Sequence, residues 1–115
     1  LKTVTAYGQG THSVYNNGSK TANFTIDANN GNIQRVSIGA NSIALTSISN
    51  MSSGTPLYLI VENDGFYTGF TMDDPSWGVA GAPSWSEDTT KADWAVFVKI
   101  VTKIYGSVSF GHTAP

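Results

Sequence analysis

Turn-forming residues recur along this chain at intervals of roughly ten positions, a spacing that marks sandwiches and barrels. They are Gly8-Gln9-Gly10, Asn16-Asn17-Gly18, Asn29-Asn30-Gly31-Asn32, Ser53-Gly54-Thr55-Pro56 and Asn63-Asp64-Gly65. Between them apolar residues alternate with polar ones, as a strand with one covered face requires. Phe24, Ile26 and Ala28 share one face, Val36 and Ile38 another, and Ile43 with Leu45 continue the pattern. Val, Ile and Thr together number 30 while Leu numbers 4, a bias toward side chains that fit a pleated surface and lose freedom in a helix.

The strands can be placed further. Asn30-Gly31 between Ile26 and Ile33 predicts a tight hairpin, because such turns need positive φ at their centre. Leu57 to Val61 is apolar at every position and predicts a central strand covered on both sides. Phe66, Thr68, Phe70 and Met72 are expected to line one face after the Asp64-Gly65 turn. In the longest strand Trp94, Val96, Val98, Ile100 and Ile104 share a face, so Trp94 is expected to be buried. The reading is a single β-sandwich domain over 1–115, antiparallel and jelly-roll-like, with about eight to nine strands and no significant helix. The polar segment Asn41 to Ser49 is expected to leave a sheet edge that could pair between protomers.

Charge bounds the partners. Asp, Glu, Lys and Arg make up 12% of the chain, against about 25% in an average soluble domain. With six basic residues and no basic stripe, nucleic-acid binding lacks its electrostatic basis. Solubility must come from the 13 Ser, 13 Thr and 9 Asn. Such a surface fits a secreted or cell- or particle-surface protein that meets neutral partners. The chain starts at Leu1 without a basic-then-apolar leader, as a mature or excised form would. With no Cys, disulfides and thiolate chemistry are excluded, and Asn17, Asn23 and Asn50 stand in glycosylation sequons.

One segment breaks the rhythm. Asp73 to Lys91 has no alternation and is longer than the roughly 12–15 residues beyond which loops are usually functional or disordered. It carries Pro75-Ser76-Trp77 and its echo Pro83-Ser84-Trp85, flanked by Asp73-Asp74 and Glu87-Asp88. Indole faces stack on the apolar side of a sugar ring while carboxylates and amides hold its hydroxyls. The expected site therefore comprises Trp77, Trp85, Asp73, Asp74, Glu87 and Asp88, with Asn63, Asp64 and Tyr67 at the neighbouring turn. On this reading the chain is a lectin-like domain for glycans or glycoconjugates, and a homo-oligomer, since single sugar sites are weak and gain from multivalency. The same Trp residues could instead fold inward and plug one end of the sandwich.

No cofactor is required, although Asp64, Asp73, Asp74, Glu87, Asp88 and Asp93 could supply oxygens to calcium if their loops converge. The uncharged stretch Pro75 to Ser86, with its two Trp, also fits peripheral contact with a membrane interface. A third alternative is a structural subunit of a surface assembly. Ser52-Ser53-Gly54-Thr55, then Asp64-Gly65, then Asp74-Pro75-Ser76-Trp77-Gly78 resembles the second half of aegerolysins, small β-sandwich proteins that bind membrane lipids and assist pore formation. The resemblance covers about 27 residues. It needs a one-residue shift at the Pro and lacks the family's Cys and Trp-bearing early strand; it implies a lipid-binding alternative.

Catalysis is not expected. Gly10-Thr11-His12-Ser13 resembles the histidine segment of subtilisin-like proteases, but no nucleophile segment accompanies it. His12, an ordinary hairpin residue on this reading, and His112, near the end of the chain, are not expected to form a metal pair or a general base. Asp88-Thr89-Thr90 lacks the Gly of an aspartic-protease loop. Asp74 and Glu87 could act as paired glycosidase carboxylates only if held about 5–9 Å apart around a cleft.

Overall fold

The computed structural model describes residues 13–77 and 82–113. Among them lie eight strands in two sheets: β1 (Tyr15–Lys20), β2 (Phe24–Asp27), β3 (Ile33–Ile38), β4 (Ala44–Ser49), β5 (Leu57–Asn63), β6 (Thr71–Met72), β7 (Lys91–Ile100) and β8 (Lys103–Thr113). The chain is all-β, as its alternation and branched residues imply. The turn at Gly8-Gln9-Gly10 and His12 lie outside the described residues, as does the side chain of His112.

The topology departs from the antiparallel expectation. The larger sheet runs β1-β3-β5-β7-β8 and the smaller β2-β4-β6. From β1 to β6 each strand lies in the sheet opposite to the one before it, so neighbours within a sheet are parallel. The first six strands thus wrap around a shared interior like turns of a short solenoid. Parallel neighbours need a crossover connection, and here the crossover is a strand of the other sheet. Among the described residues only β5-β7 and β7-β8 pair antiparallel, β7 and β8 forming a hairpin at the end of the larger sheet.

Asn30-Gly31 is consequently not a hairpin turn. Ala28–Asn30 forms one 3-10 turn, whose start is capped by the Asp27 carboxylate accepting from the Asn29 N–H at 2.9 Å. Gly31, at φ 142°, then passes the chain from the smaller sheet to the larger. Gln34, fully buried, fastens this arch by donating to the carbonyls of Asp27 (2.8 Å) and Gly31 (2.9 Å). Its Oε1 accepts from the Asn17 side-chain amide, so every polar atom of the buried amide is engaged. The polar segment expected at an edge contains β4, which is the middle strand of the smaller sheet.

The inward faces of both sheets share one core. Phe24, Ile26, Leu45, Ile48 and Met72 come from the smaller sheet; Val36, Ile38, Leu57, Leu59, Val61, Ala95 and Phe97 from the larger. Parallel register stacks these side chains: Phe24 beside Leu45, Leu45 beside Met72, Ile26 beside Ile48, and Val36 beside Val61. Phe70 and Met72 join the core as expected, but Phe66 and Thr68 point to solvent from an irregular loop.

The hairpin tip holds backbone strain. Ile100 pairs with Lys103, leaving Val101-Thr102 as a two-residue turn in which Val101 has φ 60° and is 76% exposed. A branched side chain in the left-handed region costs roughly 1–2 kcal/mol, and no burial here offsets it. Val101→Gly should therefore raise stability, by about 0.5–1 kcal/mol after the greater chain entropy of unfolded Gly is subtracted. A thermal-unfolding midpoint at or below that of the parent would contradict this.

Candidate functional site

Of the two indoles of the irregular loop, Trp85 is closed off from water and Trp77 only in part. Trp85 is 7% exposed and belongs to the core. Its ring meets Phe70 (centroids 5.5 Å apart), Phe110 (6.0 Å) and Trp77 (6.1 Å) edge-on. Trp77 is half-buried and lies edge-on to Phe97 at 5.9 Å. A Cβ at Gly106 would come within 2.6 Å of its Cζ3, so only glycine lets the ring settle on β8. Pairing of Ser76 with Tyr105 on β8 turns Trp77 inward. Its Nε1 is buried and has no hydrogen-bond partner among the described residues. The loop aromatics close one end of the interior, because the area they remove from water outweighs this single unpaired donor.

The acids are dispersed, and half of them are engaged with backbone. Asp74 accepts from the Ile48 N–H at 3.1 Å and joins the loop to β4. Asp88 accepts from the Thr90 N–H (2.8 Å) and hydroxyl (2.7 Å). Those two bonds, with the Lys91 charge, hold its carboxyl below the usual range. Asp64 accepts from the Ser19 hydroxyl. Asp73 and Glu87 are exposed. Asp93, 1% exposed, accepts from the N–H groups of Ser86 (2.5 Å) and Gly111 (2.9 Å). No group of three or more potential ligands is assembled for a metal ion among the described residues.

Asn63 organises the turn after β5 rather than facing a ligand. Its side chain accepts from the N–H groups of Gly65 (3.1 Å) and Tyr67 (2.8 Å) and donates to the Tyr67 carbonyl (2.7 Å). Four of the nine expected site residues do converge: Asn63, Tyr67, Trp85 and Glu87 line a depression of about 220 Å³. It offers no open aromatic face, since Trp85 is buried and Tyr67 is packed against the core.

A cluster of open aromatic residues lies elsewhere, on the outward face of the larger sheet. Register sets Tyr58 opposite Val96 and Ile60 opposite Trp94. With Phe97 and Ala95 turned into the core, Trp94 is turned out, the reverse of the sequence expectation. Trp94 is 40% exposed and Tyr58 41%. They line a shallow depression of about 280 Å³ together with Val96, Ser107 and Ser109. Beside them, Arg35 donates from both Nε (3.0 Å) and Nη2 (2.5 Å) to Glu62 Oε1, so this ion pair adds no net charge to the face.

Sequence reasoning missed this surface although a signal was present. Leu57 to Val61 is apolar on both of its faces, and on the outward one Tyr58 stays exposed while Ile60 is buried. An apolar, aromatic face on an ordered sheet, rimmed by hydroxyls, can stack against a flat apolar ligand surface and hydrogen-bond its edges. Compared with known proteins, the chain matches no family model, no curated protein and no solved structure.

Proposed function

We propose that the chain is a carbohydrate-binding domain for neutral glycans, its site being the outward face of the larger sheet rather than the loop. The observation that carries this reading is the exposure of Trp94 and Tyr58 side by side on an otherwise ordered sheet. Both rings are exposed, and a stacked pyranose needs such aromatic surface; the exposed Ser107 adjoins them. The neutrality of the surrounding surface suits an uncharged ligand, and no chemical step is assigned to any residue. A secreted or surface location and an oligomeric state belong to the same proposal.

Glycan-array binding, followed by titration calorimetry on the hits, tests it. Trp94→Ala is expected to weaken binding at least about tenfold, equivalent to roughly 1.4 kcal/mol. The fold should stay intact because the ring contributes little to the core. Binding that survives this substitution, or an array with no hits, would refute the proposal. A second reading, a subunit that buries this face against another copy, is favoured by Val96, an outward apolar residue left half-buried between the two rings. It predicts concentration-dependent sedimentation that Trp94→Ala abolishes.

A further inference from the structure

The geometry points to an extended glycan chain, rather than a single terminal sugar, as the ligand of this face; the inference rests on the carbohydrate reading above. A third aromatic, Tyr105, lies on the same outward face: it pairs with Val98, two positions beyond Val96 and four beyond Trp94 on β7. Tyr105 is 45% exposed. From strand spacing and rise per residue, Trp94 and Tyr58 are roughly 8 Å apart at their backbones, and Tyr105 is about 12 Å from Tyr58 and about 14 Å from Trp94. One pyranose can cover Trp94 and reach toward Tyr58, but it cannot also touch Tyr105. Several linked sugars can.

The surface between these anchors is apolar and open. Val96 and Val98 continue from Trp94 along β7, so among the described residues a chain laid in this direction meets no charged side chain before Lys103. Lys103 places its ammonium over the Tyr105 ring, 5.6 Å from the centroid, so a sugar that stacks on that face moves this exposed side chain aside. Lys103 therefore brings three hydrogen-bond donors to the distal end, where hydroxyls of a farther sugar would lie. The other face of the sheet is sealed by the core, and β5, β7 and β8 are fixed in register by their ladders, so the spacing of the three rings is set before any ligand arrives. Neutrality around Trp94 selects an uncharged polymer over an anionic one.

The test is a chain-length series by titration calorimetry: cellobiose to cellohexaose, chitobiose to chitohexaose and maltose to maltohexaose. In the series that binds, the hexasaccharide should bind about tenfold more tightly than the disaccharide, the contribution of one further stacked ring. Tyr105→Ala should weaken the hexasaccharide by that factor and flatten the series. Equal affinity for disaccharide and hexasaccharide overturns the extended-chain inference while leaving a sugar site at Trp94. A series that stays steep in Tyr105→Ala overturns the role of Tyr105 and with it the inference. Failure of all three series to bind, together with a blank glycan array, removes the carbohydrate reading itself.

Discussion

Trp85→Ala is expected to destabilise the protein by about 3–5 kcal/mol, the range for removing a large aromatic from a core. The side chain is buried among Phe70, Trp77 and Phe110, three rings whose edge-on contacts all end on it. Its loss opens a cavity at the end of the interior where no regular strand can move in, since 73–90 is irregular apart from the bridge at Ser76 among the described residues. Each neighbouring ring then loses dispersion contacts on one side, which adds to the lost transfer energy. Urea denaturation should show the lower midpoint with little change in slope. Trp94→Ala is the matched control, because an exposed ring gives up far less on removal. A cost below about 1 kcal/mol for Trp85→Ala would contradict its placement in the core. Acrylamide quenching gives the same contrast without unfolding: the Trp94 component should be quenched readily and the Trp85 component protected.

Asp93→Ala is expected to cost about 3 kcal/mol for a different reason. Each hydrogen bond to a charged acceptor contributes roughly 1.5–3 kcal/mol, and this carboxylate accepts two from backbone. One partner, Ser86, belongs to the irregular segment; the other, Gly111, sits where β8 carries an extra residue. Ala92 and Trp94 are two positions apart on β7, whereas their partners His112 and Ser109 are three apart on β8. Gly111 takes up that surplus with φ 72°, and its N–H turns to Asp93. A single buried carboxylate thus ties the loop to the bulge. Gly111 is exposed, so its N–H can rehydrate, which holds the expected cost near the lower end of the two-bond sum. Asp93→Asn keeps one acceptor oxygen and should lose about half as much. Hydrogen exchange at Ser86 and Gly111 should accelerate in both variants. Unchanged exchange there would mean that the clamp is not what orders the loop.

Asp93 also shows what an inventory of residue types conceals. In sequence it is one more acid beside a Trp-containing loop, equally suited to calcium, to a sugar hydroxyl or to water. Its role depends on two amides, 7 and 18 positions away, that the fold brings to it. The same holds for Asn63, whose side chain is consumed by its own turn, and for Asp74, which reaches across 26 positions to Ile48. A sequence shows which chemistry is on hand. It does not show which groups are already satisfied.

That the chain is all-β, where most of its strands lie, and that Phe24, Ile26, Val36, Ile38 and Leu45 turn inward could all be read from the residues alone. Alternation and turn chemistry are local properties, and they act within a few residues. Strand direction and partner choice are not local. A chain that turns back to pair with itself and one that turns across to a second sheet carry the same period of two and the same Gly and Asn punctuation. That β1 to β6 wrap in parallel pairs rather than antiparallel hairpins therefore emerges from long-range packing. It also decided the two Trp questions. Both faces of β7 begin with apolar residues, so alternation could not choose between Trp94 and Phe97 for the interior. The choice went to Phe97, which fills the space between the sheets against Trp77, and Trp94 was left facing water.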